Sequence, residues 1–380
     1  RVIVALTDIR QVVALDRTTG RELWRFGANG RIDTPPTICK GRAVFGCADG
    51  NVYCLRAEDG ALMWRFRASP HDRLIGAFGR LESAWPVHGS VLVQGDTVYC
   101  TAGRSSFLDG GIYTWALDLE TGDVISRERL SSDHDMEVAW GRDQTVGTGV
   151  LSDLLVAHGG QIYLRQRPLF GEAKQTRISG HLRSTAGLLD DSWFHRTHWF
   201  LSGVPYAEYL VFNNQSVCGV RAREKIGGYG GHFTPGAGGF ELFAADLVEP
   251  QQLRVDPKAT ARPRVSNRQS GRPRGPSQTP AVRRPSGRWS LRVPVRLTAM
   301  VIAGETLFAA GSDDILYPDD PWAAYEGRKG GKLMAFSVDD GEKLAQYGLS
   351  AAPVFDGMAA AHGCIYLSTR GGRLLCYAGQ

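Results

Sequence analysis

Residues 14–24 read Ala-Leu-Asp-Arg-Thr-Thr-Gly-Arg-Glu-Leu-Trp, and residues 54–64 read Cys-Leu-Arg-Ala-Glu-Asp-Gly-Ala-Leu-Met-Trp. The two stretches lie 40 residues apart, and each continues Arg-Phe. A third copy starts at Ala116 and a fourth at Ala335, so that Gly20, Gly60, Gly122 and Gly341 share one register. Each copy has the same physical logic. An alternating run such as Gln11–Leu15 makes a strand. A Thr-Gly or Asp-Gly pair then supplies a residue that tolerates positive φ, and a second run pairs back as a hairpin. Further strand runs lie upstream, among them Ala43–Cys47 before the Asp49-Gly50 turn, and Val91–Val93 before Gly95-Asp96.

Three or four short strands per ~40-residue unit is the pattern of a propeller blade. One such blade cannot bury both of its faces, whereas stacked blades can. The reading is therefore all-β: a single β-propeller of four-stranded antiparallel blades occupying 1–380 as one domain. The spacing gives eight blades, at 2–30, 31–68, 84–130, 147–182, 184–222, 226–296, 297–348 and 349–380. The count falls to seven if the two terminal segments share a blade.

Composition agrees with this reading. The 380 residues include 47 Gly and 18 Pro, and no run of 18 apolar residues occurs, so no membrane-spanning helix is expected. The net charge of +5 comes from one place. Residues 251–296 carry twelve Arg/Lys and one acid, Asp256, leaving 32 bases and 38 acids elsewhere. The segment 251–292 reads as a basic, Pro/Arg-rich, disordered insert on composition. Its sharper reading is an arm for a polyanion or glycan. Its charges are not interleaved with aromatics until Trp289, which argues against a specific nucleic-acid partner. The seven cysteines form no CxxC or zinc spacing and read mostly as small buried hydrophobes. A Cys39–Cys47 disulfide between adjacent strands stays open at this point.

The segment Ala14-x-Asp16-x-x-Thr19-Gly20-x-x-x-Trp24 resembles the tryptophan-docking repeat of the pyrroloquinoline-quinone (PQQ) propellers. These include the quinoprotein alcohol dehydrogenases and the outer-membrane assembly lipoproteins. The resemblance implies that the Trp of one blade packs on the turn of the next. It assigns blade-docking roles to Asp16, Gly20, Trp24, Gly60, Trp64, Asp118, Gly122 and Gly341. The match is full only at 14–24: Arg56 replaces the Asp in the second copy, Ser126 replaces the Trp in the third, and little of it appears between 130 and 295. The whole chain also looks like uncharacterised PQQ-like repeat proteins of planctomycetes and related bacteria, carried by Leu188–Arg196 and Pro294–Met300. That likeness implies export to the periplasm or cell envelope. The chain itself opens at Arg1 in a strand-like run, with no visible signal peptide.

The quinone enzymes of this group hold Ca²⁺ with Glu, Asn and Asp, use an Asp base, and often carry a disulfide of adjacent cysteines. This sequence has no Cys-Cys pair and no dense carboxylate set, so no cofactor is expected and PQQ with calcium is disfavoured. Two stretches stand out as candidate ligand sites. One is 190–199, with Asp190, Asp191, Trp193, His195, Arg196, His198 and Trp199, suited to stacking on sugar rings and to bonding hydroxyls or carboxylates. The other runs from Arg80 to His88 and contains Arg80, Glu82 and Trp85. His195 and His198 fall on opposite faces of an extended chain, so no metal site is expected there. The leading functional reading is a non-catalytic scaffold binding a protein or envelope component. The alternatives are a carbohydrate-binding or carbohydrate-active propeller and, third, a PQQ-dependent dehydrogenase.

Overall fold

A computed structural model describes residues 1–89, 91–132, 150–165, 167–171, 181–184, 199–201, 204–222, 239–247 and 287–379. Among the described residues there is no α-helix, and the one helical turn is the 3-10 segment Thr7–Ile9. No helix is long and apolar enough to cross a membrane. The chain forms two compact units, 1–177 with 181–191, and 178–180 with 192–380.

In the first unit β1 (Val2–Leu6), β2 (Gln11–Leu15) and β3 (Glu22–Gly27) form one sheet. A second contains β4 (Thr37–Cys39), β5 (Arg42–Gly46), β6 (Asn51–Arg56) and β7 (Leu62–Arg67). A separate hairpin follows, β8 (Leu74–Ala77) with β9 (Arg80–Ser83). The next sheets are β10 (Leu92–Gln94), β11 (Thr97–Ala102), β12 (Ile112–Asp118) and β13 (Val124–Leu130), then β14 (Leu155–His158), β15 (Gln161–Leu164) and β16 (Arg167–Leu169). A short strand β17 (Arg183–Ser184) ends the described part.

The second unit begins with a short strand β18 (Trp199–Phe200). Its first sheet is β19 (Tyr209–Phe212), β20 (Ser216–Ala222), β21 (Phe240–Asp246) and β22 (Gly287–Val293). Then come β23 (Val295–Ala303), β24 (Thr306–Asp313), β25 (Gly331–Ser337) and β26 (Lys343–Leu349), and last β27 (Pro353–Ala361), β28 (Cys364–Thr369) and β29 (Leu374–Ala378). Every sheet is an antiparallel meander in chain order.

Burial follows from stacking sheet on sheet. The inner strand β6 is buried on both faces from Val52 to Leu55, while outer strands β3 and β7 bury only their tryptophans. Val12, Ala14 and Trp24 of the first sheet pack with Phe45, Tyr53 and Leu55 of the second. Val44, Cys54 and Trp64 pack in turn with Val98, Cys100 and Leu117 of the third. In the second unit Cys218 and Leu242 meet Met300, Leu307 and Phe336. The fold is all-β and built of propeller-type antiparallel blades, as the repeat spacing predicts.

The docking repeat is explicit. Trp24 Nε1 donates to the carbonyl of Ala57 (3.2 Å), and its ring covers Gly60 so closely that a Cβ there would sit 2.7 Å away. Trp64 Nε1 donates to Leu119 (3.0 Å) and covers Gly122. Each glycine has positive φ, 75° at Gly60 and 78° at Gly122, which glycine adopts without strain. The turns are capped from within: the Asp16 carboxylate accepts from the amides of Thr18 and Thr19, and Asp118 from Glu120 and Thr121. These bonds hold both carboxyls below the usual carboxylate range. Where Arg56 replaces the Asp, its guanidinium pairs with Asp59, which caps the Ala61 amide instead. That pairing pulls Asp59 down to about 2.

Two expectations change. The division between 184–222 and 226–296 falls inside one sheet, because β20 pairs along its length with β21. Trp289, given no docking role by the sequence, is a third docking tryptophan. Its Nε1 donates to Val338 (2.8 Å), and its ring covers Gly341. The register explains why the motif is hard to see. The pairs Ala14↔Trp24, Cys54↔Trp64 and Ala244↔Trp289 are equivalent, each followed by the same slip of register. Ala244 and Asp246 are therefore the start of a docking repeat and Trp289 its end, with the basic insert in the place of the six-residue turn Asp16–Arg21.

Because Ala245 and Gly287 are already paired across that turn, the insert is not needed to close the hairpin. Replacing Leu247–Ser286 by Arg-Thr-Thr-Gly-Arg is expected to leave the thermal midpoint within about 2 °C, since loop length alone changes closure cost slowly. The isoelectric point falls. A scanning-calorimetry loss of the unit's transition would contradict this placement.

Candidate functional site

The β8–β9 hairpin is additional to the blade pattern and exposes a set of large apolar side chains. Leu74 is 58% exposed, Phe78 51% and Leu81 68%. Its two-residue turn has positive φ at both positions, 49° at Phe78 and 72° at Gly79, the geometry that matches strand twist. Phe at such a φ is unusual, and a specific contact accompanies it: the Arg31 guanidinium lies 3.7 Å from the Phe78 ring centroid. Ala84 N–H to Arg73 O (2.8 Å) closes the hairpin base, and Ser83 N–H to Ala48 O (2.9 Å) ties it to the second sheet's β5–β6 turn.

Alternation along β9 sends Leu81 out and Glu82 in. Glu82, 4% exposed, lies 3.5 Å from Arg31 Nε. Arg31 Nε also lies 2.7 Å from Asp33 Oδ1, off the line of its N–H, so this is an ion pair without a hydrogen bond. The other Asp33 oxygen accepts from His88 Nδ1–H at 2.7 Å. The result is a buried cluster, Arg31–Asp33–Glu82–His88, in which Arg31 Nη2 and Glu82 Oε1 have no hydrogen-bond partner. Burial raises the Glu82 carboxyl above its ordinary range, against the pull of Arg31. A carboxylate–imidazole pair can orient a general base. The cluster ties the hairpin to the body of the unit through Glu82 and through Arg31 against Phe78.

The sequence-predicted residues divide accordingly. Glu82 belongs to the cluster. Arg80 is exposed, and its Nη1 donates to Asp8 O (2.6 Å). Trp85 is buried, donates to Asp109 O (2.8 Å), and lies under Arg73, so it is a packing residue rather than an open stacking platform. Trp199 is half-buried and exchanges backbone hydrogen bonds with Ala207. Asp190, Asp191, Trp193, His195, Arg196 and His198 lie outside the described residues. In the second unit Asp313 pairs with Lys332 and Asp320 with Arg328. Sequence reasoning missed Arg31 and Asp33, as well as half-buried Glu208 and Arg296 in the second unit. There burial raises the carboxyl and lowers the guanidinium.

Residues 1–170 match the model of the family described as outer membrane protein assembly factor BamB. The match spans 170 of the chain's 380 residues. Among solved structures the chain is similar to BamB from Moraxella catarrhalis, at 12% identity and TM-score 0.48, covering 100% of this chain and 96% of that one. It is similar also to the computationally designed Ika8 protein, at 11% identity and TM-score 0.46, covering 100% and 93%. No curated protein matches the chain.

PQQ-like repeats carry the frame of the quinone enzymes without necessarily carrying their site. Trp24, Trp64 and Trp289 have their indole N–H groups bonded to turn carbonyls, so none is placed to cover a quinone. Among the described residues no three His, Cys, Asp or Glu side chains converge as metal ligands.

Proposed function

We propose that the chain is a non-catalytic PQQ-like scaffold that binds a protein of the cell envelope, and that the β8–β9 hairpin is what docks. The observation that carries this reading is the hairpin itself: Leu74, Phe78 and Leu81 exposed together on a braced, non-blade element. Grouped exposed apolar residues on a folded surface are characteristic of recognition sites. Bracing by Arg31 and Glu82 reduces the ordering cost on binding. Arg80, exposed beside the apolar tip, favours a partner with an apolar groove and an acidic rim, whereas Arg73 at the hairpin base is ion-paired with Asp109. The name of the matching family supports an envelope setting.

The test is a photo-crosslinker at Leu81 in cells, with the captured protein then measured against purified chain. Phe78→Ser and Leu81→Asp are each expected to weaken that complex about thirtyfold, the loss typical of a buried anchor. An unchanged affinity in both variants would refute the docking role, and turnover of any substrate by the purified chain would refute the non-catalytic one.

A further inference from the structure

The last sheet carries two cysteines in a particular relation. In the β28–β29 pair, Cys364 stands opposite Ala378 and Tyr366 opposite Cys376. Cys364 and Cys376 therefore share one face of the pair as diagonal neighbours. Ile365, Leu367, Leu375 and Tyr377 occupy the opposite face, where they form the core against β24 and β25. Cys364 is half-buried and Cys376 exposed, so oxidant reaches the pair from solvent. β29 is an edge strand, hydrogen-bonded only to β28.

The other thiols are differently placed. Cys47, Cys54, Cys100 and Cys218 are buried. Burial pushes Cys54 up to about 11 and Cys100 and Cys218 up to about 12, which makes them poor nucleophiles. Cys39 stands opposite Arg42 in its hairpin, and Cys47 lies beyond the end of that strand pair, so they do not meet. Desolvation by its neighbours and the adjoining Cys364 thiol also raise Cys376, the effect of two sulfurs within reach of each other.

We propose that Cys364 and Cys376 form a reversible intrachain disulfide that staples the edge strand β29 to β28. The oxidant is a small-molecule disulfide such as oxidised glutathione. The Cys376 thiolate attacks one of its sulfurs, forming a mixed disulfide and releasing one glutathione thiolate. The Cys364 thiolate then displaces the second glutathione. Two protein thiols lose two protons and two electrons, and the oxidant is reduced to two thiols. Diagonal Cβ atoms must approach by about 2–3 Å for closure, a shift an edge strand bonded on one side can make. Because the attacking group is the thiolate, closure is expected to speed up about tenfold per pH unit between pH 7 and 8.

The test uses the full chain incubated with oxidised glutathione, alkylated, and digested with trypsin without reduction. Cleavage after Arg370 and Arg373 separates the two cysteines. The expected product is peptide 344–370 linked to 374–380, lighter by two hydrogens than the sum of the free peptides. Reduction abolishes it, and so does either Cys376→Ser or Cys364→Ser. Recovery of both cysteines alkylated, or of Cys376 carrying glutathione without linkage to Cys364, would overturn the proposal. Neither result bears on hairpin docking, which involves other residues.

Discussion

Gly122→Ala is expected to destabilise the first unit by about 3 kcal/mol, at least twice the cost of Gly20→Ala. Both glycines have positive φ, 69° at Gly20 and 78° at Gly122, so each substitution pays a left-handed backbone penalty of about 1–2 kcal/mol. They differ in what a methyl group would meet. Beside Gly20 there is nothing within 4 Å, whereas beside Gly122 the Trp64 ring would lie 2.8 Å away. Trp64 is 8% exposed and anchored through Leu119, so it has little freedom to retreat. Trp64→Ala is expected to cost about 3–5 kcal/mol, as other large buried aromatics do. The deciding measurement is the double variant in urea denaturation. Removing the ring removes the clash, so Trp64→Ala with Gly122→Ala should cost at least about 1 kcal/mol less than the sum of the single changes. Strict additivity would show that the two residues do not form a docking pair.

That contact was legible in the sequence because it is built from neighbours in a repeat. The turn Asp16–Gly20 and the tryptophan four residues later are read together, and a second copy 40 residues on confirms them. Trp289 obeys the same rule but escapes it, because the basic insert separates Ala244 and Asp246 from Gly287 and Trp289, and local spacing is the only signal a single sequence offers. The hairpin site was legible by half. Glu82 and His88 drew notice as parts of one charged stretch, but their partners Arg31 and Asp33 sit in the connection before β4. Nothing local in Gly30-Arg31-Ile32-Asp33 marks those residues as buried, since charged residues are ordinarily exposed. Only the stacking of the second sheet against the hairpin brings them together.

Asp33→Ala is expected to cost about 3–5 kcal/mol and to loosen the hairpin with it. Asp33 contacts both the Arg31 guanidinium, at 2.7 Å, and the His88 imidazole, at 2.7 Å. Removing it leaves the Arg31 guanidinium buried with Glu82 alone, 3.5 Å away, and an uncompensated buried charge is far costlier than a missing pair. Asp33→Asn keeps an acceptor for His88 and should cost less, about 1–3 kcal/mol. Glu82 adds a pH dependence of definite sign. Its folded carboxyl titrates above the unfolded value, so the folded state holds the proton longer. Stability from this group is present below the unfolded carboxylate pKa of about 4.3 and is lost as pH rises through the folded value. Glu82→Gln, which cannot ionise, should therefore gain on wild type between about pH 4 and pH 7 in urea midpoints. Asp33→Ala should in addition weaken partner binding, because Arg31, once unpaired, no longer holds its place under Phe78. A variant that loses stability yet binds through Leu81 with full affinity would separate the cluster from the docking function.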